Sequence, residues 1–217
     1  MGIYRTLFGV ALSLVLSMQW GWAAEIENRE QALQALKSPD AGTRLAGAAG
    51  LAKYGAMDDA DILLEELYDE DPQVREVAEL AVWQVWMRSG DPRVDSLLKS
   101  GIRRMDDGQM APAVEDFTRV IELRPDFAEG WNKRATAYYL MGDYEQSLKD
   151  CDEVVKRNPH HFGALSGYGL IYVQRGELER ALEYFERALD VNPNMPGVEQ
   201  SIEMIRYRLK KSGKEST

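Results

Sequence analysis

Apolar positions recur at helical spacing along most of this chain. The clearest stripe lies near its end, where Val198, Ile202, Ile205 and Leu209 stand at i, i+4, i+7 and i+11. Glu199, Glu203, Arg206 and Lys210 occupy the other faces, so an amphipathic helix is predicted over 196–211. Upstream the pattern itself repeats. Pro125, Pro159 and Pro193 are 34 residues apart, and Gly108, Gly142 and Gly176 keep the interval. So do Gly101, Ala135 and Gly169, then Ala113, Ser147 and Ala181, then Phe117, Cys151 and Phe185. A fixed period of this length marks stacked helix–turn–helix units.

Each repeated residue type has a physical role in such a unit. Small residues let paired helices approach, because the gap between helices is set by the side chains at the contact. Tyr138, Tyr172 and Phe185 are expected to fill the space beside those contacts. Glycines 108, 142 and 176 suit the left-handed residue that ends a helix and turns the chain. Asp143 and Glu177 then put an acid where the next helix begins and its dipole is positive. The three prolines stop each second helix.

A fainter period of 31 residues runs before this array, matching Leu36 with Leu67, Asp40 with Asp71 and Arg44 with Arg75. Ala46, Ala49 and Ala52 answer to Ala78 and Ala81 in looser phase. Ser38-Pro39, Asp71-Pro72 and Asp91-Pro92 each read as a helix cap followed by a first-turn proline. No Gly/Ser-rich linker separates the two regions. They are expected to stack as one continuous α-solenoid, with Trp83 and Trp86 packing near the junction.

Residues 1–24 belong to a different category. Met1–Arg5 carries one positive charge, Thr6–Met18 is apolar, and Gly21-Trp22-Ala23-Ala24 supplies small residues. That layout predicts a signal peptide cut after Ala23 or Ala24. The alternative is an uncleaved anchor, since the apolar run is about the shortest length that spans a bilayer. Residues 212–217 are expected to be a disordered tail.

Charge removes several function classes. The net charge is −10, and no basic stripe runs along the chain. Nucleic-acid binding depends on neutralising phosphates, so a nucleic-acid partner is not expected. The basic residues Arg206, Arg208, Lys210, Lys211 and Lys214 read as complements of a helix carboxyl end. Asp58, Asp59 and Asp61, and the run Asp69-Glu70-Asp71, read as solvated helix caps.

Candidate chemistry is sparse. Cys151 is the single cysteine, so no internal disulfide forms. It holds the place of Phe117 and Phe185 and is expected to be buried and inert. His160 and His161 are adjacent and lack the i, i+4 spacing of a helical metal pair. No nucleophile elbow or Cys–His arrangement occurs. The expectation is a protein without catalytic, metal or cofactor sites, and not an enzyme.

These residues carry two resemblances. Residues 91–211 resemble a tetratricopeptide repeat domain, with units at about 94–127, 128–161 and 162–195 and a capping helix over 196–211. Trp131, Ala135, Tyr138, Ser147, Cys151 and Pro159 fill the family pattern in the second unit. Leu165, Tyr168, Gly169, Tyr172, Ala181, Phe185 and Pro193 fill it in the third. Leu97, Gly101, Ala113, Phe117 and Pro125 fill it in the first, with Arg104 where an aromatic is usual. Residues 25–90 resemble short HEAT-like repeats of the bilin-lyase type.

The first resemblance implies an all-α solenoid whose concave groove takes a protein or peptide segment. Projected onto this chain, the groove lining is Leu98, Ile102 and Met105, then Asn132, Thr136 and Tyr139, then Ser166, Leu170 and Val173. Tyr138 would turn into the packing. The groove lacks the charged clamp with which some relatives hold a carboxy-terminal carboxylate, so an apolar segment is the expected occupant. The reading is an exported, periplasmic interaction scaffold. Two alternatives remain open: a membrane-tethered envelope assembly factor or chaperone-like adaptor, and a bilin-lyase-like attachment of a prosthetic group.

Overall fold

The computed structural model describes residues 26–215, with side chains through residue 211. The expected signal segment, 1–24, lies outside the described residues. Among them the fold is entirely helical. The amino-terminal block holds α1 (Arg29–Ala35), α2 (Ala41–Tyr54), α3 (Ala60–Glu65) and α4 (Pro72–Trp86), with short 3-10 turns at Met57–Asp59 and Glu66–Tyr68. The 34-residue array follows as α5 (Pro92–Asp106), α6 (Met110–Leu123), α7 (Ala128–Leu140), α8 (Tyr144–Arg157), α9 (Phe162–Gln174) and α10 (Leu178–Val191). The last helix is α11 (Pro196–Glu215). It continues past 211, so residues 212–215 of the expected tail are helical; no proline stops the run, and Lys210, Lys211 and Lys214 suit a helix carboxyl end.

The array's interior works by matched sizes. A Cβ at Gly101 would lie 2.5 Å from the Phe117 ring, and one at Gly169 would lie 2.5 Å from the Phe185 ring. The glycines are therefore the slots that the phenylalanines fill. In the middle unit the slot carries a methyl group, Ala135, and its phenylalanine has become the smaller Cys151. Gly108, Gly142 and Gly176 take positive φ of 75°, 79° and 74°, as the helix-ending role requires. Asp143 caps α8, and Asp71 and Asp91 cap α4 and α5 with proline following. At the earlier site the cap is Asp40 rather than Ser38: Asp40 accepts the Thr43 N–H at 2.8 Å. Tyr138 is half-buried beside Arg134 and does not enter a core cluster; Tyr172, its equivalent in the next unit, is buried.

The two regions do not form one straight stack. The 31-residue period is realised as repeated hydrogen bonds: Arg44 donates to the carbonyls of Ser38 and Pro39, and Arg75 donates to those of Asp69 and Glu70. Arg44 also pairs with Asp69 of the following copy at 2.6 Å. Arg75 has no following copy. Its Nε donates instead to Asn194 Oδ1, 2.9 Å away, in the loop before α11. Asn194 Nδ2 donates to Leu67 O at 2.7 Å, and the Tyr68 hydroxyl donates to Asp190 O. The block thus folds back onto the third unit, and Trp83 and Trp86 pack there, against Phe162.

The acidic clusters are also not solvated caps throughout. Asp59 is 2% exposed and accepts from Arg29 and from the Ala56 N–H. Asp69 binds Arg44, whose guanidinium holds its carboxyl below the usual range. Among the described residues no helix is long and apolar enough to cross a membrane.

Candidate peptide-binding groove

Helices α7 and α9 are the first helices of neighbouring units, so residues at equivalent turns face the same space. Asn132, Thr136, Tyr139, Ser166 and Leu170 line one cavity of about 130 Å³, floored by Ala135, Ser147, Cys151 and Gly167. Ser166 and Leu170 also line a second cavity, of about 420 Å³, that reaches Val198 and Ser201 on α11. The two openings make one groove along units two and three. Leu170, 42% exposed, stands between them.

The polar residues of this lining are satisfied by the protein itself. The Thr136 hydroxyl donates to Asn132 O at 2.9 Å, and that of Ser166 donates to Gly163 O at 3.0 Å. Asn132 is buried and donates to Glu129 Oε2 at 3.2 Å, so its amide holds a neighbour. Tyr139 leans on Tyr144, with ring centroids 5.8 Å apart. Val173 packs against the core of the third unit and lines neither opening.

The first unit departs from the expected lining. Leu98 is 1% exposed and belongs to the core with Val94, Phe117 and Phe127. Met57 and Met87 of the amino-terminal block pack against that cluster. Ile102 and Met105 are half-buried against the same cluster. Leu98 is therefore a core residue, not a groove residue.

The sequence reading missed a buried polar cluster where the block meets the array. Glu129 and His161 are each 1% exposed, with His161 Nε2 3.0 Å from Glu129 Oε2. His161 Nδ1 accepts the Ala164 N–H at 3.0 Å and caps α9. The proton therefore sits on Nε2, which donates to the carboxylate. Burial works against ionisation of Glu129, but Lys133 and His161 outweigh it and hold the carboxyl below its usual range. Lys133 Nζ is 2.9 Å from Glu129 Oε1 and lies over the Trp83 ring. Trp86 stacks on His161 with centroids 4.4 Å apart. A signal was present: His161 stands where the neighbouring units carry Phe127 and Met195.

A cleft of about 320 Å³ lies between α3 and the loops before α7 and α9. Its arginines are engaged: Arg88 donates to Gly55 O, Arg124 to Ser89 O and Asp126, and Arg157 to Pro125 O. Burial, helped by Asp150 and Asp152, pushes the Cys151 thiol up to about 12. Among the described residues no group of three or more His, Cys, Asp or Glu side chains is placed to hold a metal.

Comparison with known proteins fits this geometry. Residues 132–196 match the tetratricopeptide repeat family. The matched stretch runs from the groove-lining Asn132 to the first residue of α11. A TPR repeat-containing protein of Rhizobium etli is 32% identical over 124 residues, covering 57% of this chain and 61% of that protein. Anaphase-promoting complex subunit 3 of Schizosaccharomyces pombe is 29% identical over 98 residues, covering 45% of this chain and 15% of that one. The chain thus spans less than two thirds of either relative.

Solved structures share the fold. The first such domain of Spaghetti (RPAP3), bound to an HSP90 peptide, superposes with a TM-score of 0.52 at 23% identity. It covers 54% of this chain and 93% of that one. MamA covers 66% of this chain and 86% of its own, with a TM-score of 0.51 at 22% identity.

Proposed function

We propose that this protein is an exported interaction scaffold that binds a protein or peptide segment in the groove along its second and third tetratricopeptide units. One observation carries the reading. Side chains from α7 and α9 converge on a single groove whose most exposed large residue is the apolar Leu170. Exposed leucine in a concavity favours an apolar partner side chain, because burying it removes apolar surface from water. The HSP90 peptide on the Spaghetti domain supports a peptide as the class of occupant. Attachment of a bilin is disfavoured by Cys151, the only cysteine, which is buried and held protonated.

A photo-crosslinking residue placed at Leu170 tests the groove. It should give partner adducts in the cell envelope, while the same residue at Glu115, exposed on α6, gives none. Tyr139→Ala should weaken partner binding about thirtyfold, the factor that corresponds to an aromatic hot spot of roughly 2 kcal/mol. Equal adducts at both positions, or unchanged binding by Tyr139→Ala, would reject the groove.

Export rests on the charged, apolar and small-residue order of residues 1–24. We place the protein in the periplasm, with an inner-membrane tether as the other outcome. Intact mass of protein recovered from the envelope separates them: cleavage gives a chain starting at Ala24 or Glu25, and a tether retains Met1.

A further inference from the structure

The groove is built from both regions of the chain, and among the described residues only one that lines it is charged. That residue is Glu79, on α4 of the amino-terminal block, which reaches the opening beside α11. Apart from the Tyr139 hydroxyl, the remaining lining is apolar or already hydrogen-bonded. Ser201 Oγ donates to Gly197 O at 2.8 Å, Ser147 Oγ donates to Ala135 O at 2.7 Å, and Asn194 bridges to Leu67 and Arg75. Glu79 is half-buried and has no hydrogen-bond or ion-pair partner among the described residues.

A lone carboxylate beside an apolar strip sets a chemical requirement on the occupant. An anionic segment would meet uncompensated repulsion, while a cationic side chain would gain a partner that nothing else competes for. The net charge of −10 adds long-range attraction of the same sign. Resting on the groove assigned above, we infer that the occupant is a peptide segment carrying an apolar side chain that covers Leu170 and a lysine or arginine that pairs with Glu79. The block that folds back onto the third unit then has a direct part in recognition: it supplies the groove's charge.

Three labelled peptides of equal length form the probe. One carries two leucines and two lysines in a Gly/Ser background. The second has glutamates in place of the lysines, and the third has serines in place of the leucines. Fluorescence anisotropy with the full chain should rank leucine–lysine first, ahead of leucine–glutamate by about tenfold. Glu79→Gln should remove about threefold to fivefold of that preference, as expected for one part-exposed ion pair. Glu79→Lys should invert the ranking. Glu115→Lys, the same charge change on α6 away from the groove, separates local pairing from overall charge and should leave the ranking intact.

The outcomes are distinct. Leucine peptides that bind regardless of charge, or a preference that Glu79→Lys and Glu115→Lys reduce equally, overturn the pairing with Glu79 and leave the groove standing. Leucine and serine peptides that bind alike, or no binding by any of the three, overturn the groove itself.

Discussion

The array and the amino-terminal block solve the same problem, burying one face of each helix pair, with different means. The array fills its interior with ring-in-slot pairs, Phe117 over Gly101 and Phe185 over Gly169, and each unit covers the next. The block relies on alanine-rich contacts and on arginines that tie its turns: Arg44 closes onto the following copy, but Arg75, in the last copy, closes onto Asn194 of the array. In stacked architectures each repeat is covered by its neighbours, and terminal repeats need another cover. Three units and a capping helix supply that cover largely from within, with Met57 and Met87 of the block packing on the first unit. Two short copies do not, so the block takes its last neighbour from the far end of the chain.

The largest effect expected of this comparison lies inside the array. Phe185→Ala empties a slot with no other occupant and should cost about 3–5 kcal/mol in a denaturant titration. A loss below 1 kcal/mol would mean that the units are not held by these pairs. Next comes the seam. A Cβ at Gly163 would collide with the Trp83 ring, whereas at Gly197, the same repeat position one unit later, it would meet nothing. Gly163→Ala should therefore cost about 1–3 kcal/mol and shift tryptophan fluorescence. Gly197→Ala should be neutral or slightly stabilising, since alanine is the better helix former. Equal behaviour of the two would remove the seam from the account.

A smaller effect belongs to the block alone. Burial, then the neighbouring Asp69, raises the Glu66 carboxyl to about 7. The folded state therefore holds a proton that an unfolded carboxyl, near 4.3, releases earlier. Its contribution is complete below about pH 4 and is lost as the pH rises through 7, so stability should fall between pH 5 and pH 8. Solvent screening at this part-exposed site limits the change to about 1 kcal/mol. Glu66→Gln should flatten that slope, and an unaltered slope would reject the assignment.

The sequence showed more of the array than of the block. Strict spacing made the turns at Gly108, Gly142 and Gly176 and the interior place of Cys151 readable, because a repeat lets one unit predict another. Native Cys151 should accordingly resist thiol reagents until the fold is denatured, when labelling becomes fast. Leu98 was misplaced for the opposite reason. Its repeat equivalents, Asn132 and Ser166, line an opening in the later units, but Leu98 lies in a core against which Met57 and Met87 pack, and no periodicity encodes that long-range contact. Asp59 and Asp69 misled likewise: their arginine partners lie 30 and 25 residues away in sequence, beyond any local pattern. The groove's second wall, including Glu79, depends on the block folding back and was invisible for the same cause.

That closure is the central claim, and a double-mutant cycle between Trp86 and His161 tests it most directly. The two rings stack at 4.4 Å although 75 positions separate them in the chain. Trp86→Ala and His161→Ala, measured singly and together by denaturant titration, should show a coupling of about 0.5–1.5 kcal/mol. Strictly additive losses would mean that the block does not rest on the junction of the second and third units, and would contradict the account.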